Sequence, residues 1–132
     1  MKKLNKIYLA IPYSKMDGEL SFNLANEVMI SLLNAGHNVF SPITHTHPLV
    51  RLGVRGDWKF WKQVDLEFID WTDEMVVIIP PDTDKITGIE LLETSVGVQA
   101  EIKYCKEQGK DVKYFDYNTK IFIKIPELVS EE

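Results

Sequence analysis

Five consecutive apolar residues, Met75-Val76-Val77-Ile78-Ile79, are stopped dead by Pro80-Pro81. A strand half-exposed to water alternates apolar and polar side chains. An unbroken run of this length instead fits a strand covered on both faces, as in a parallel sheet packed between helices. A second run, Lys6–Ile11 (Lys-Ile-Tyr-Leu-Ala-Ile), reads the same way and is ended by Pro12. Between the two lies a segment from Leu20 to about Ala35, with Phe22, Leu24, Ala25, Val28, Met29, Leu32 and Leu33 on one broad helical face and Gly36 closing it. Val39-Phe40-Ser41 follows as a short second strand, and Pro42–Gly56 reads as a long connection.

Asp57 is placed to cap a helix over Trp58–Trp71. A loop after Pro81 leads to a helix opened by Ser95, with Val98, Ile102 and Cys105 on its buried stripe and Gly109 past its end. Val112–Phe115 is a fourth strand and Ile121–Ile125 a fifth or an edge strand, before Pro126 and an acidic tail. Alternating strands and helices imply right-handed crossovers, hence an α/β fold with a flavodoxin-like or Rossmann-like parallel sheet of four or five strands and helices on both faces. At 132 residues, 1–132 is expected to be one domain, its core about 6–115 and 116–132 a terminal strand and tail.

Charge and composition narrow the function. A net charge of −5 argues against a general nucleic-acid binder, while leaving room for a local pocket that takes a small anion. No apolar run approaches the roughly 18 residues of a membrane span. The run after Met1-Lys2-Lys3 is too short for a signal peptide, and the single cysteine fits a reducing compartment, so a cytoplasmic location is expected. Neither a Gly-x-Gly-x-x-Gly nor a Walker A motif is present to hold a dinucleotide or a triphosphate, and the nucleophile elbow Gly-x-Ser-x-Gly is missing too. His45 and His47, read as lying in an extended loop, would point to opposite sides and make a poor metal pair; contact with a ligand is the better reading. No cofactor is called for. Trp58, Trp61 and Phe68, at helical spacing, read as core or interface.

Three features gather near the carboxyl edge of the expected sheet, where open α/β sheets bind ligands. They are the polar loop Tyr13-Ser14-Lys15-Met16-Asp17-Gly18, Asp65 on its helix, and Ser95, Gly97 and Glu101 at a helix start. Glu101, six residues past the cap, feels the positive helix end and is expected to be ionised, as a nucleophile or general base needs to be. Two carboxylates beside a helix N-terminus suit glycosidic cleavage of an anionic sugar, with backbone N–H groups near Ser95 and Gly97 to hold a phosphate.

The pattern Ile7-Tyr8-Leu9-Ala10-Ile11-Pro12-Tyr13-Ser14, Ser41-Pro42-Ile43-x-His45-x-His47, Asp65, Asp73 before Val76-Val77, and Ser95-x-Gly97-Val98-x-x-Glu101 resembles the nucleoside 2-deoxyribosyltransferase-like superfamily over residues 6–115. The similarity is greatest to the small branch called domain of unknown function 1937. The resemblance implies Glu101 as nucleophile on the anomeric carbon, Asp65 as the assisting acid and Tyr13 as an active-site contact, with Ser14, His45, His47, Ser95 and Gly97 around the substrate. Transferases of the superfamily usually carry Asp where this chain has Ser95; the nucleoside 5′-monophosphate N-glycosidases carry Ser. An Asp would repel a phosphate to which a Ser can donate. The resemblance thus implies cleavage of a (deoxy)nucleoside 5′-monophosphate, with base exchange by a nucleoside transferase, or a non-catalytic nucleotide sensor, as the alternatives. It also implies a homodimer or larger assembly, for which the three tryptophans offer anchors.

Overall fold

The computed structural model describes residues 5–13 and 15–123. Strand β1 (Lys6–Ala10) is central, with β2 (Asn38–Phe40) parallel on one side and β3 (Glu74–Ile79) parallel on the other. Strand β4 (Asp111–Asp116) runs parallel to β3, and β5 (Ile121–Ile123) closes the far edge antiparallel to β4. The order β2-β1-β3-β4-β5 is the flavodoxin-like one. Residues 124 and 125 of the expected fifth strand, Pro126 and the tail lie outside the described residues.

The pleat sorts the strand side chains between two cores. Tyr8, Ala10, Met75, Val77 and Ile79 pack with Ile69 of α3 (Trp58–Trp71), Leu92 of α4 (Gly88–Thr94) and Val98, Ile102 and Cys105 of α5 (Val96–Glu107). Ile7, Leu9, Ile11, Val76 and Ile78 turn the other way, onto Leu24, Ala25 and Val28 of α1 (Gly18–Asn34). All six residues of β3 are buried, which is why it shows no alternation in sequence. The two faces are therefore covered as expected.

Two connections differ from the expectation. Residues 42–56 are not a continuous loop, because Pro42–Arg51 forms helix α2. Ser41 caps it by accepting from the Thr44 N–H at 3.3 Å, and Pro42 stands in the first turn, where its missing N–H costs nothing. His45 and His47 thus lie about 200° apart around a helix, which still prevents them from sharing an ion. The segment before Ser95 likewise holds the short helix α4, started by a capping box: Thr87 accepts from the Glu90 N–H, and Glu90 accepts from the Thr87 N–H.

Helix α4 is seated where backbone meets backbone. A Cβ on Gly88 would stand 1.8 Å from the Pro80 carbonyl oxygen, so no side chain fits. Gly88→Ala is expected to cost about 3 kcal/mol of stability, at the upper end of overpacking, because the obstacle is main chain. Urea denaturation of the variant checks this; an unchanged midpoint would contradict it.

Candidate active site

The site starts from the pleat of β1. Tyr8 points to the α3–α5 side of the sheet, is fully buried, and places its hydroxyl against α5. There it donates to Glu101 Oε2 at 2.5 Å. Burial, and next the negative charge of Glu101, push the Tyr8 hydroxyl well above its ordinary pKa, so it stays a donor at all working pH values.

Glu101 is only 5% exposed and Asp65, arriving on α3, only 6%. Their carboxyl groups interact directly. Burial raises both: Asp65 to about 6, and Glu101 well above the usual carboxylate range, with the charge of Asp65 adding to the effect. The expectation of a freely ionised Glu101 is corrected here. The helix dipole favours an anion by about 1 kcal/mol or less and fades beyond the first turn, whereas desolvation beside a like charge is larger. Burial and mutual repulsion thus disfavour ionising both carboxyls at once. Burial favours placing a proton on Glu101; the Tyr8 donor opposes that and favours the Glu101 anion. Asp65 Oδ1 is buried and has no hydrogen-bond partner among the described residues. A buried oxygen without a partner is costly to stability and is the kind of group a ligand satisfies.

Both carboxyls line a cleft of about 520 Å³, counted to its open mouth, at the carboxyl ends of β1 and β2. Helices α2, α3 and α5 close it over that edge of the sheet, where open α/β sheets take ligands. Ser95 lines it as well, 9% exposed, its Oγ accepting from the Val98 N–H at 3.4 Å as the cap of α5. That use of the oxygen lone pair leaves the hydroxyl proton to be donated.

Gly97 lines the cleft and also stands against an indole. A Cβ there would come 3.3 Å from Trp58 Cε3, so the glycine makes room for an indole as well as for close approach of a ligand. Trp58 and Trp61 are lining residues, with the Trp61 Nε1–H held by the Arg55 carbonyl at 2.5 Å. They were expected as core or interface. The clue lay in the spacing 58, 61, 65, which puts both rings on the helix face that carries Asp65. Of the three tryptophans, Trp71 is the most exposed at 48%, its ring covered on one face by Lys6 Nζ 4.9 Å from the centroid. Phe68, one turn on, is core and stacks on Phe40 with ring centroids 3.8 Å apart.

Tyr13, just past β1, lines the cleft, and its hydroxyl lies 2.7 Å from His47 Nδ1. His47 is buried behind it and His45 is exposed; neither is a lining residue. Ser14 lies outside the described residues. No three His, Cys, Asp or Glu side chains among the described residues form a group that could hold a metal ion. Among them, no helix is long and apolar enough to cross a membrane. Tyr8 is the functional candidate that sequence reasoning passed over, because a tyrosine inside an apolar strand reads as core.

Over 90% of its length the chain is similar to a solved structure, with 30% sequence identity, a TM-score of 0.54 and 77% of the other chain covered. That structure is a 2-deoxyribosyltransferase from the psychrotolerant bacterium Bacillus psychrosaccharolyticus. The fold and the family relationship place the protein in the nucleoside 2-deoxyribosyltransferase-like superfamily. Within it, the chain belongs to the family described as Domain of unknown function (DUF1937), which matches residues 5–117. No curated protein matches the chain.

Proposed function

We propose that the protein is a cytoplasmic enzyme that breaks the N-glycosidic bond of a (deoxy)nucleoside 5′-monophosphate. The observation that carries this is the buried Glu101–Asp65 pair, whose burial disfavours two charges at once, braced by the Tyr8 hydroxyl. A pair with one proton can supply a nucleophile and an acid at once. With the proton of the pair passed to Asp65 and the Tyr8 hydroxyl holding Oε2, Glu101 Oε1 is left as the oxygen that attacks C1′ of the sugar. The C1′–N bond breaks, its electron pair passes into the base, and the base takes a proton from Asp65 while a C1′–O bond forms to Glu101. Water then attacks C1′, gives its proton to Asp65, and releases Glu101 as the carboxylate.

Retaining O-glycosidases set their nucleophile and acid roughly 5 Å apart, on either side of the scissile bond. Such enzymes must protonate the bridging oxygen itself. A nucleobase is activated at a ring atom away from the scissile nitrogen, so an acid next to the nucleophile can reach it. Trp58 and Trp61 give the base an apolar wall and exclude water from the bond that breaks.

Ser95 supports the monophosphate reading. Its hydroxyl can donate to a phosphate that also meets the N–H groups at the start of α5. Ser95→Asp is expected to shift preference from monophosphate toward nucleoside, and Ser95→Ala to weaken monophosphate binding by about tenfold to a hundredfold, since a charge-assisted hydrogen bond contributes about 1.5–3 kcal/mol. Calorimetry on a nucleoside and its monophosphate checks both; an unchanged ratio in Ser95→Asp would remove the phosphate site.

The second reading is a transferase, in which another base replaces water. The observation that favours it is that the similar solved structure is itself a 2-deoxyribosyltransferase. A panel of nucleosides and monophosphates, assayed for free base with and without an added acceptor base, separates the readings. Release without acceptor supports hydrolysis, and release only with acceptor supports transfer. Binding without release from any member would leave a nucleotide sensor. Assembly into a homodimer or larger oligomer belongs to the same proposal, with exposed Trp71 as its anchor.

A further inference from the structure

Behind the cleft wall stands a chain of polar groups that the chemistry above does not use. Tyr13 Oη lies 2.7 Å from His47 Nδ1, and His47 Nε2 lies 2.8 Å from Glu19 Oε2. Arg51 Nη1 donates to the same Glu19 oxygen at 2.9 Å. The members come from three elements: the turn after β1, the first turn of α1, and successive turns of α2, where His47 and Arg51 are four residues apart. Phe22 flanks the imidazole with its ring centroid 5.1 Å away. A Cβ on Gly18 would stand 2.9 Å from His47 Cε1 and 3.3 Å from Tyr13 Cε1, so a glycine opens the space in which the two rings meet. The imidazole is 6% exposed and does not reach the cleft, whereas Tyr13 does.

The order of donors follows from Glu19. Hydrogen bonding to His47, and the charge of Arg51, lower the Glu19 pKa, so it is a carboxylate and can only accept. His47 therefore carries its proton on Nε2. In that tautomer Nδ1 is a bare lone pair, and it takes the Tyr13 hydroxyl proton. Partial burial and the charge of Glu19 hold Tyr13 above its ordinary pKa, in the phenol form. With its proton directed backward at His47, Tyr13 offers the cleft only oxygen lone pairs.

We propose that His47, held by Glu19, fixes Tyr13 as a hydrogen-bond acceptor for the 3′-hydroxyl of the ligand's sugar. Identifying the donor as a sugar hydroxyl rests on the N-glycosidic reading. With C1′ at Glu101 and the 5′ end at Ser95, the 3′-hydroxyl is the polar group common to ribose and deoxyribose that remains to be met. Tyr13 makes the contact and His47 is a positioning residue. A site that expects such a hydroxyl discriminates against a sugar lacking it, because the acceptor is left unpaired.

The test uses the Glu101→Gln background, so that ligand persists, and compares affinity for a 2′-deoxynucleoside 5′-monophosphate with that for its 2′,3′-dideoxy counterpart. The deoxy ligand is expected to bind about tenfold to a hundredfold more tightly. Tyr13→Phe and His47→Phe should each bring that ratio close to one, the double variant should lower it no further, and His47→Asn, which returns an amide oxygen near the Nδ1 position, should restore part of it. Nitrogen-15 NMR of the ligand-free protein should show His47 with its proton on Nε2 and a lone pair on Nδ1. A wild-type ratio in either Phe variant, a ratio near one before any change, or an imidazole protonated on Nδ1 would overturn the proposal. Base release separates this idea from its parent: a collapsed ratio with no base released by the otherwise native protein sinks the N-glycosidic reading alone. Base release with an insensitive ratio sinks the Tyr13 assignment alone.

Discussion

Glu101→Gln is expected to lower base release by about a thousandfold or more while leaving the fold intact. The amide is nearly isosteric with the carboxyl, and Tyr8 can still donate to its oxygen, so the bond across the core from β1 survives. A neutral amide is a poor nucleophile, and loss of a nucleophile costs several orders of magnitude in rate. The variant also removes one ionisable carboxyl from a buried pair that cannot readily carry two charges, so its thermal midpoint at neutral pH should not fall. Steady-state assays with circular dichroism check both. Near-native turnover in a folded variant would remove Glu101 from the reaction.

Asp65→Asn is expected to move activity and stability in opposite directions. Turnover should fall by about a hundredfold or more, the usual scale for losing a general acid, while ligand affinity changes less. Stability follows the proton. In the unfolded chain the Asp65 carboxyl titrates at its usual 3.8; in the folded protein burial raises it to about 6. The folded state thus holds the proton more tightly, and the associated stability is fully present below about pH 4 and is lost as the pH rises through 6. The Asn variant does not ionise, so at pH 7–8 it should be the more stable protein. The gain is on the order of 2–3 kcal/mol at most for a displacement of that size. It should close as the pH is lowered to 4. Thermal melts of both proteins across that range check this. A variant less stable than wild type at pH 8 would mean that the Asp65 carboxylate is satisfied and that the pair carries two charges readily.

The strands β1 and β3 were legible because a strand buried on both faces leaves an unbroken apolar run that a solvent-facing strand or an amphipathic helix does not produce. The placement of Asp65 and Glu101 was legible from helix periodicity and caps, together with the rule that α/β sheets bind ligands at the carboxyl edge. Other parts were hidden for identifiable reasons. Helix α2 carries Pro42 and Pro48, with glycines at 53 and 56, and those residues read as loop until Ser41-Pro42 is recognised as a helix start. Helix α4 has seven residues, too few for periodicity to show, although its capping pair Thr87 and Glu90 was in plain view.

The site's electrostatics were less legible than its membership. Proximity of Glu101 to a helix start suggested an ionised carboxylate. Only the three-dimensional juxtaposition with Asp65, under full burial, reverses that sign. Tyr8 hid among apolar neighbours because its ring belongs to the core and only its hydroxyl to the site. His47 was read as a ligand contact, and its actual neighbours, Tyr13 and Glu19, come from other elements, 34 and 28 residues away in the chain. Pairings of that range depend on how α1 and α2 cross, which no local pattern encodes.

The central claim, a glycosyl-enzyme formed on Glu101, is tested most directly by mass spectrometry. The wild-type protein would be incubated with a nucleoside 5′-monophosphate bearing a 2′-fluoro sugar, whose electron-withdrawing fluorine slows breakdown through the oxocarbenium-like transition state. After an acid quench and proteolysis, the account predicts one sugar phosphate per chain, attached to the peptide that contains Glu101, absent from Glu101→Gln, and discharged when an acceptor base or time is allowed. Base release by the wild type with no adduct, or an adduct placed on Asp65, would contradict it.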